Sequence, residues 1–256
     1  MTAEPIPVAP ARPAVVTLEL SRRPVPFPPQ VEESLREEAR GIIDRYPQAR
    51  SALLPLLHLV QSVEGYVSST GIAFCAGQLG LTDAEVTAVA TFYSMYRRTP
   101  IGEHHVGVCT NTLCAVMGGD EILASLAEHL GTAPGATTED GAVTLDHLEC
   151  NAACDYAPVV MVNWEFFDNQ TPESARALVD ALRAGQPVTG SRSSAPVCTF
   201  RETARILAGF PDRREGANDG EPGPATLAGL HVARGENTTE TAAPQEDSST
   251  RPGELR

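Results

Sequence analysis

Hydrophobic positions take up a helical rhythm near residue 30 and keep it to about residue 98. Val31, Leu35, Ala39, Ile42, Ile43 and Tyr46 recur three and four apart, with Glu32 and Glu33 where the dipole of a first turn favours acidic side chains. This predicts a helix from about Pro29 to Tyr46-Pro47. Gln48 to Glu64 is apolar through Leu53, Leu54, Leu56, Leu57, Leu59, Val60 and Val63, and Gly65 is placed to cap it. Pro55 fits only a first turn, so this second helix starts late or bends there. Ser68-Ser69-Thr70 caps a third helix running to Leu79-Gly80. Thr82 and Glu85 form a capping box that opens a fourth through Val86, Val89 and Phe92. Short connections between these helices imply a small bundle.

After Thr99-Pro100 the period changes. His104 to Cys109 reads as a strand, Gly118 to Leu130 as a helix carrying Ile122, Leu123, Leu126 and Leu130, and Ala142 to Cys150 as a second strand. A right-handed crossover makes those strands parallel. Pro158 to Asn163 is a third strand and Trp164 to Asp168 a short fourth. Thr171-Pro172-Glu173 opens a last helix to about Arg183-Ala184-Gly185. The order β-α-β-β-β-α is that of half a thioredoxin fold. The expected class is therefore α/β: a helical bundle over 30–98, then a thioredoxin-like domain over 100–185. The Pro-rich residues 1–29 and the acidic, Gly-, Pro- and Ser-rich residues 186–256, with only a weak helical patch at Thr203 to Leu207, are expected to stay disordered. Such stretches bury too little apolar area to offset ordering entropy.

Composition narrows the function. A chain of 256 residues with 42% apolar content supports a real core, while a net charge of −14 argues against nucleic acid or anionic lipid as partner. The Pro-rich start is no signal peptide, and no segment reaches the roughly eighteen apolar residues of a membrane-spanning helix. A soluble, cytoplasmic protein is expected. There, clustered cysteines read as metal ligands or redox groups rather than disulfides.

Four cysteines form two clusters, Cys109-x₄-Cys114 and Cys150-x₃-Cys154, each just after a predicted strand. Parallel strands ending side by side bring all four sulfurs to one rim. Structural zinc usually uses tighter knuckles such as C-x₂-C, and a dithiol oxidoreductase uses C-x-x-C at a helix N-terminus. A [2Fe–2S] cluster takes two thiolates per iron and accepts wider loops. Thr110, Asn111, Thr112 and Asn151 offer it neutral donors, and Ala152 and Ala153 allow close backbone approach. Glu149 and Asp155, if turned toward it, lower its potential. Cys75 reads as a small buried hydrophobe and Cys198 as a tail residue with no partner in view. His104 and His105 read as strand and surface residues, His58 as packed or solvent-tipped, and Phe92, Tyr93 and Tyr96 as core or interdomain packing, or, if exposed, as aromatics suited to a subunit interface.

Several stretches carry a resemblance: Ala90-Thr91-Phe92-Tyr93-Ser94-Met95-Tyr96, His104 to Thr112, Glu149-Cys150-x-x-Ala153-Cys154-x-x-Ala157-Pro158, Val162-Asn163, and Tyr46-Pro47-x-x-Arg50-Ser51-Ala52-Leu53-Leu54-Pro55. Over about residues 30–185 the chain resembles the thioredoxin-like [2Fe–2S] subunits of NADH–quinone oxidoreductase, respiratory complex I, known in bacteria as its E subunits. The resemblance implies Cys109, Cys114, Cys150 and Cys154 as cluster ligands and electron transfer as the function. It also implies a flavoprotein partner carrying FMN and NADH, and peripheral attachment to the inner face of the membrane through the complex. The chain departs from that pattern at Leu113, where proline is usual, and at Asn151-Ala152, where Leu-Gly is usual. Related subunits serve NAD-linked hydrogenases and formate dehydrogenases. A zinc-stabilised interaction module without redox activity is the alternative from another class. No G-x-G-x-x-G or P-loop is present, so no complete NADH-oxidising site is expected on this chain.

Overall fold

The computed structural model describes residues 25–236. The expectation of disorder over residues 1–24 and 237–256 lies outside them. Helix α1 (Pro29–Ile43) starts on Pro29, buries Leu35, Ala39 and Ile42, and ends three residues before the expected Tyr46. A 3-10 turn (Ala49–Ala52) precedes α2 (Leu53–Glu64), so Pro55 falls in a first turn, where its missing N–H costs nothing. Leu56, Leu57, Leu59 and Val60 are all buried, which makes α2 the centre of the bundle. Gly65 (φ 82°) ends it in the left-handed conformation. Helix α3 (Ser69–Leu79) is capped by Ser68, whose Oγ accepts the Gly71 N–H at 2.9 Å. Thr82 and Glu85 form the expected capping box of α4 (Asp83–Phe92).

His58 is buried on α2 with its ring 4.7 Å from that of Tyr96, and burial lowers the imidazole to about 4. Tyr96 is packed, but Phe92 is exposed. Buried Gln61 holds the exit from the bundle, donating to the Met95 carbonyl at 3.1 Å and accepting the Arg97 N–H at 2.8 Å.

The second half runs β1 (His104–Cys109), α5 (Thr112–Val116), α6 (Gly119–Leu130), β2 (Ala136–Thr137), β3 (Val143–Leu148), a 3-10 turn (Cys154–Tyr156), β4 (Val160–Val162), β5 (Glu165–Phe167) and α7 (Pro172–Arg183). The sheet order is β2-β3-β1-β4-β5; β1 and β3 are parallel and the other pairs antiparallel. Alternation gives the central strands two faces. Val106, Val108, Val143, Leu145, Val160 and Val162 pack against α6 and α7 through Ile122, Leu126, Ala175, Leu178 and Val179. Cys109, Leu148, Met161, Cys114 of α5 and, from the loops, Ala153 and Val159 form a separate small core.

Two expectations are corrected here. His104 and His105 are not at the surface: β1 is central, with β3 and β4 on either side, and both rings are buried. Burial pushes both imidazoles below their ordinary value. Asn163, in left-handed conformation (φ 49°), serves them both. Its Oδ1 accepts the His105 N–H at 2.7 Å, and its Nδ2 lies 3.1 Å from His104 Nδ1 and 2.7 Å from the Cys198 carbonyl it donates to.

The second correction concerns residues 186–236. Helix α8 (Phe200–Leu207) lies across α2 and buries Phe200 and Ala204, with Ala208 just beyond. Arg201 donates to the Val63 and Glu64 carbonyls at the end of α2 (2.8 and 3.1 Å), and Arg205 grips Glu38 of α1 with two contacts (2.5 and 3.2 Å). The Phe200 N–H donates to the Glu103 carbonyl at 2.9 Å, and its ring lies 6.1 Å from that of His105, so this segment spans both halves. Local apolar content underestimates such a helix, because its partners lie far away in the sequence. Beyond it, α9 (Pro224–Ala233) buries none of its residues.

Ending the chain at Gln186 should therefore lower the thermal midpoint. Phe200→Ala alone should cost about 3–5 kcal/mol, the usual penalty for deleting a buried ring. A thermal melt measures the first and chemical denaturation the second, and an unchanged stability for the pair would show that α8 contributes no packing.

Candidate metal centre

The register of β1 on β3 decides where the cysteines sit. Cys109 pairs with Leu148, so both strands end at the same level and release their loops side by side. The Cys109 N–H donates to the Val159 carbonyl at 3.0 Å and the Thr110 N–H to the Leu148 carbonyl at 3.3 Å, which fastens the first loop to its neighbours. Gly107, two residues before the strand's last, lies under the Leu148 side chain, and a Cβ there would collide with it. The first loop turns at once into the short α5, which carries Cys114.

Helix α6 begins directly against that loop. A Cβ on Gly119 would strike the Cys109 carbonyl and come within 2.9 Å of the Cys114 carbonyl. Only glycine lets the N-terminus of α6, the positive end of its dipole, approach both cysteines. The sequence signal is the Gly118-Gly119 pair at a helix start, which sequence reasoning passed over.

The second loop holds Cys150 and Cys154 with their sulfurs 3.8 Å apart. Metal–thiolate bonds of about 2.3 Å at a tetrahedral angle place two sulfurs about 3.8 Å apart, so this pair is spaced to share one ion. The Ala152 N–H lies 3.3 Å from Cys150 Sγ and donates to it. Ala152 takes a left-handed φ of 53°, which costs a non-glycine residue about 1 kcal/mol. Glycine would adopt that conformation freely.

Two of the thiols, Cys114 and Cys154, are shifted by their neighbours. Burial, then the hydrogen bond and charge of Cys109, push the Cys114 thiol up to about 11, with a smaller push from Cys154 and a counter-pull from the Val159 backbone. The hydrogen bond to Cys150, then its charge, raises Cys154, and Cys109 and Asp155 add to it. Thiols that resist joint ionisation are what a cation relieves. Cys109 and Cys114 are buried while Cys150 and Cys154 are exposed, so the site has an inner and an outer pair. The loops are tied across the top, where Asn111 Nδ2 donates to Glu149 Oε2 at 3.0 Å; that carboxylate is engaged by an amide.

Residues 39–183 match the thioredoxin-like [2Fe–2S] ferredoxin family. The chain belongs to that family. Among curated relatives, the NADH-quinone oxidoreductase E subunit of Mycobacterium tuberculosis is 65% identical over 211 residues, 82% of this chain and 83% of the relative. The E 2 subunit of Rhizobium meliloti is 35% identical over 162 residues, 63% of this chain and 96% of the relative, and the E subunit of Rickettsia bellii is 38% identical over 148 residues, 57% and 89%. Wherever it starts, an alignment covering 82% of this chain runs past residue 183, where the family match ends, and takes in α8.

Four thiols in two pairs, with neutral amides around them, suit the cluster that gives this ferredoxin family its name. The remaining cysteines lie apart. Cys75 is enclosed in the bundle, where burial pushes its thiol up to about 12, and Cys198 Sγ lies 3.3 Å from Thr203 Oγ1.

Gly119→Ala should reduce the iron retained per chain and cost about 1–3 kcal/mol, the range for overpacking, because neither carbonyl can retreat without moving a cysteine. Gly77→Ala, on α3 with open space around it, should be neutral or slightly stabilising. Iron analysis beside a thermal melt checks both, and full iron retention in Gly119→Ala would remove the close-approach argument.

Proposed function

We propose that this chain is the electron-transferring E subunit of an NADH–quinone oxidoreductase, with Cys109, Cys114, Cys150 and Cys154 as the ligands of one [2Fe–2S] cluster. The supporting observation is the pairing of the thiols on the rim where parallel β1 and β3 end. In this reading Cys109 and Cys114 hold one iron and Cys150 and Cys154 the other. When bound, the cluster accepts and releases one electron at a time.

The protein's own residues set the conditions for that exchange. The Val159 backbone favours the ionised form of Cys114, and the Ala152 N–H is directed at Cys150 Sγ. Burial of Cys109 and Cys114 keeps water from the inner pair. The exposed outer pair leaves a short path for electrons to and from a neighbour. Leu113, Val116 and Met117, exposed on and just after α5, give this side an apolar rim of the kind that contacts between subunits use.

NADH delivers a hydride, whose two electrons must be separated before a one-electron carrier takes either of them. That separation needs a flavin, for which this chain carries no binding motif. The partner is accordingly a flavoprotein with FMN and an NADH site. The curated relatives are named as subunits of NADH-quinone oxidoreductase, which favours that parent complex over a hydrogenase or a formate dehydrogenase. Among the described residues no helix is long and apolar enough to cross a membrane, so contact with the inner face of the membrane runs through other subunits.

Dithionite should bleach the visible spectrum of the purified protein, NADH alone should leave it unchanged, and NADH with the flavoprotein partner should bleach it. Bleaching by NADH without the partner would place a nucleotide site on this chain and overturn the carrier reading.

A further inference from the structure

Asn151 lies between Cys150 and Cys154, and its side-chain Nδ2 is shielded from solvent without a hydrogen-bond partner in the protein. Leaving a buried amide donor unpaired costs about 1–3 kcal/mol. The polar groups nearest it along the two loops are already committed. Asn111 Nδ2 donates to Glu149, Thr112 Oγ1 donates to Asn111 Oδ1 at 3.1 Å, and the Ala152 N–H points at Cys150 Sγ. Asn151 therefore holds a neutral donor in reserve, within a loop whose two ends are thiols spaced for a single ion.

We propose that Asn151 donates its Nδ2–H to a sulfur of the cluster and so holds the reduction potential up. The inference rests on the ligand assignment made above. A cluster with four thiolates gains a further negative charge on reduction, so a fixed N–H dipole directed at its sulfurs stabilises the reduced form more than the oxidised one. Asp155, next to Cys154, acts in the opposite sense. The uncharged amide offsets that carboxylate without adding a positive charge that would itself need burial.

The test uses the full-length, iron-loaded protein. Asn151→Leu keeps the branched side-chain shape and removes the donor. Its midpoint potential should fall with the cluster's visible spectrum retained. The reduced wild type, after exchange into heavy water, should show a deuteron coupling in pulsed paramagnetic resonance that Asn151→Leu lacks. Asn151→Gln, which keeps an amide, should stay closer to the wild-type potential than Asn151→Leu. If Asn151→Leu does not fold, Asn151→Ala is read the same way. An intact cluster with wild-type potential and couplings in the donorless variant overturns this inference alone. A wild-type protein that binds no iron overturns the ligand assignment and this inference with it.

Discussion

The candidate metal centre depends on one backbone constraint, the parallel pairing of β1 and β3 with Cys109 opposite Leu148. Side chains alternate along a strand, so a slip of one residue in that register would turn Cys109 toward the face covered by α6 and α7. The pairing also sets the level at which both loops leave the sheet. Gly107 and Gly119 protect it from two sides, one by admitting the Leu148 side chain and the other by admitting the start of α6. Neither contributes a donor atom, yet each fixes where the thiols lie.

A second network joins the helical half to the sheet. Arg97, leaving the bundle, reaches Asp146 on β3 at 2.6 Å, and His105 stands 3.6 Å from the same carboxylate. Burial alone would raise that carboxyl, but the contacts from His105 and Arg97 prevail and hold it at about 2. The α8 segment closes the same junction from the other end of the chain. Its exposed arginine contacts are worth little individually, and the buried Phe200, Ala204 and Ala208 carry most of its attachment.

Much of this was legible in the sequence, for identifiable reasons. The capping box at Thr82, the glycines at 65 and 80, and the Thr171-Pro172 start of α7 are local signals that need no tertiary context, and each lies where it was read. The two cysteine clusters were visible because each follows a strand. What was missed depends on distant partners. The buried state of His104 and His105 follows from β1 being flanked on both sides, which a single strand's composition does not reveal. The attachment of α8 follows from the apolar face that it buries in the fold, with carbonyls at the end of α2 receiving Arg201. A local trace of it existed in the capping box of Thr199 and Glu202, overlooked amid Gly- and Pro-rich sequence. The short β2 and α5 are too brief to show a period.

The central claim is that the four thiols on this rim form one site for a two-iron, two-sulfide cluster. It is tested most directly by counting iron, zinc and acid-labile sulfide in anaerobically purified protein, beside a variant with Cys150 and Cys154 both replaced by serine. The account predicts two irons and two sulfides per wild-type chain, little zinc, and loss of iron and sulfide together in the double variant. One zinc per chain without sulfide, or iron and sulfide undiminished in the double variant, would contradict it.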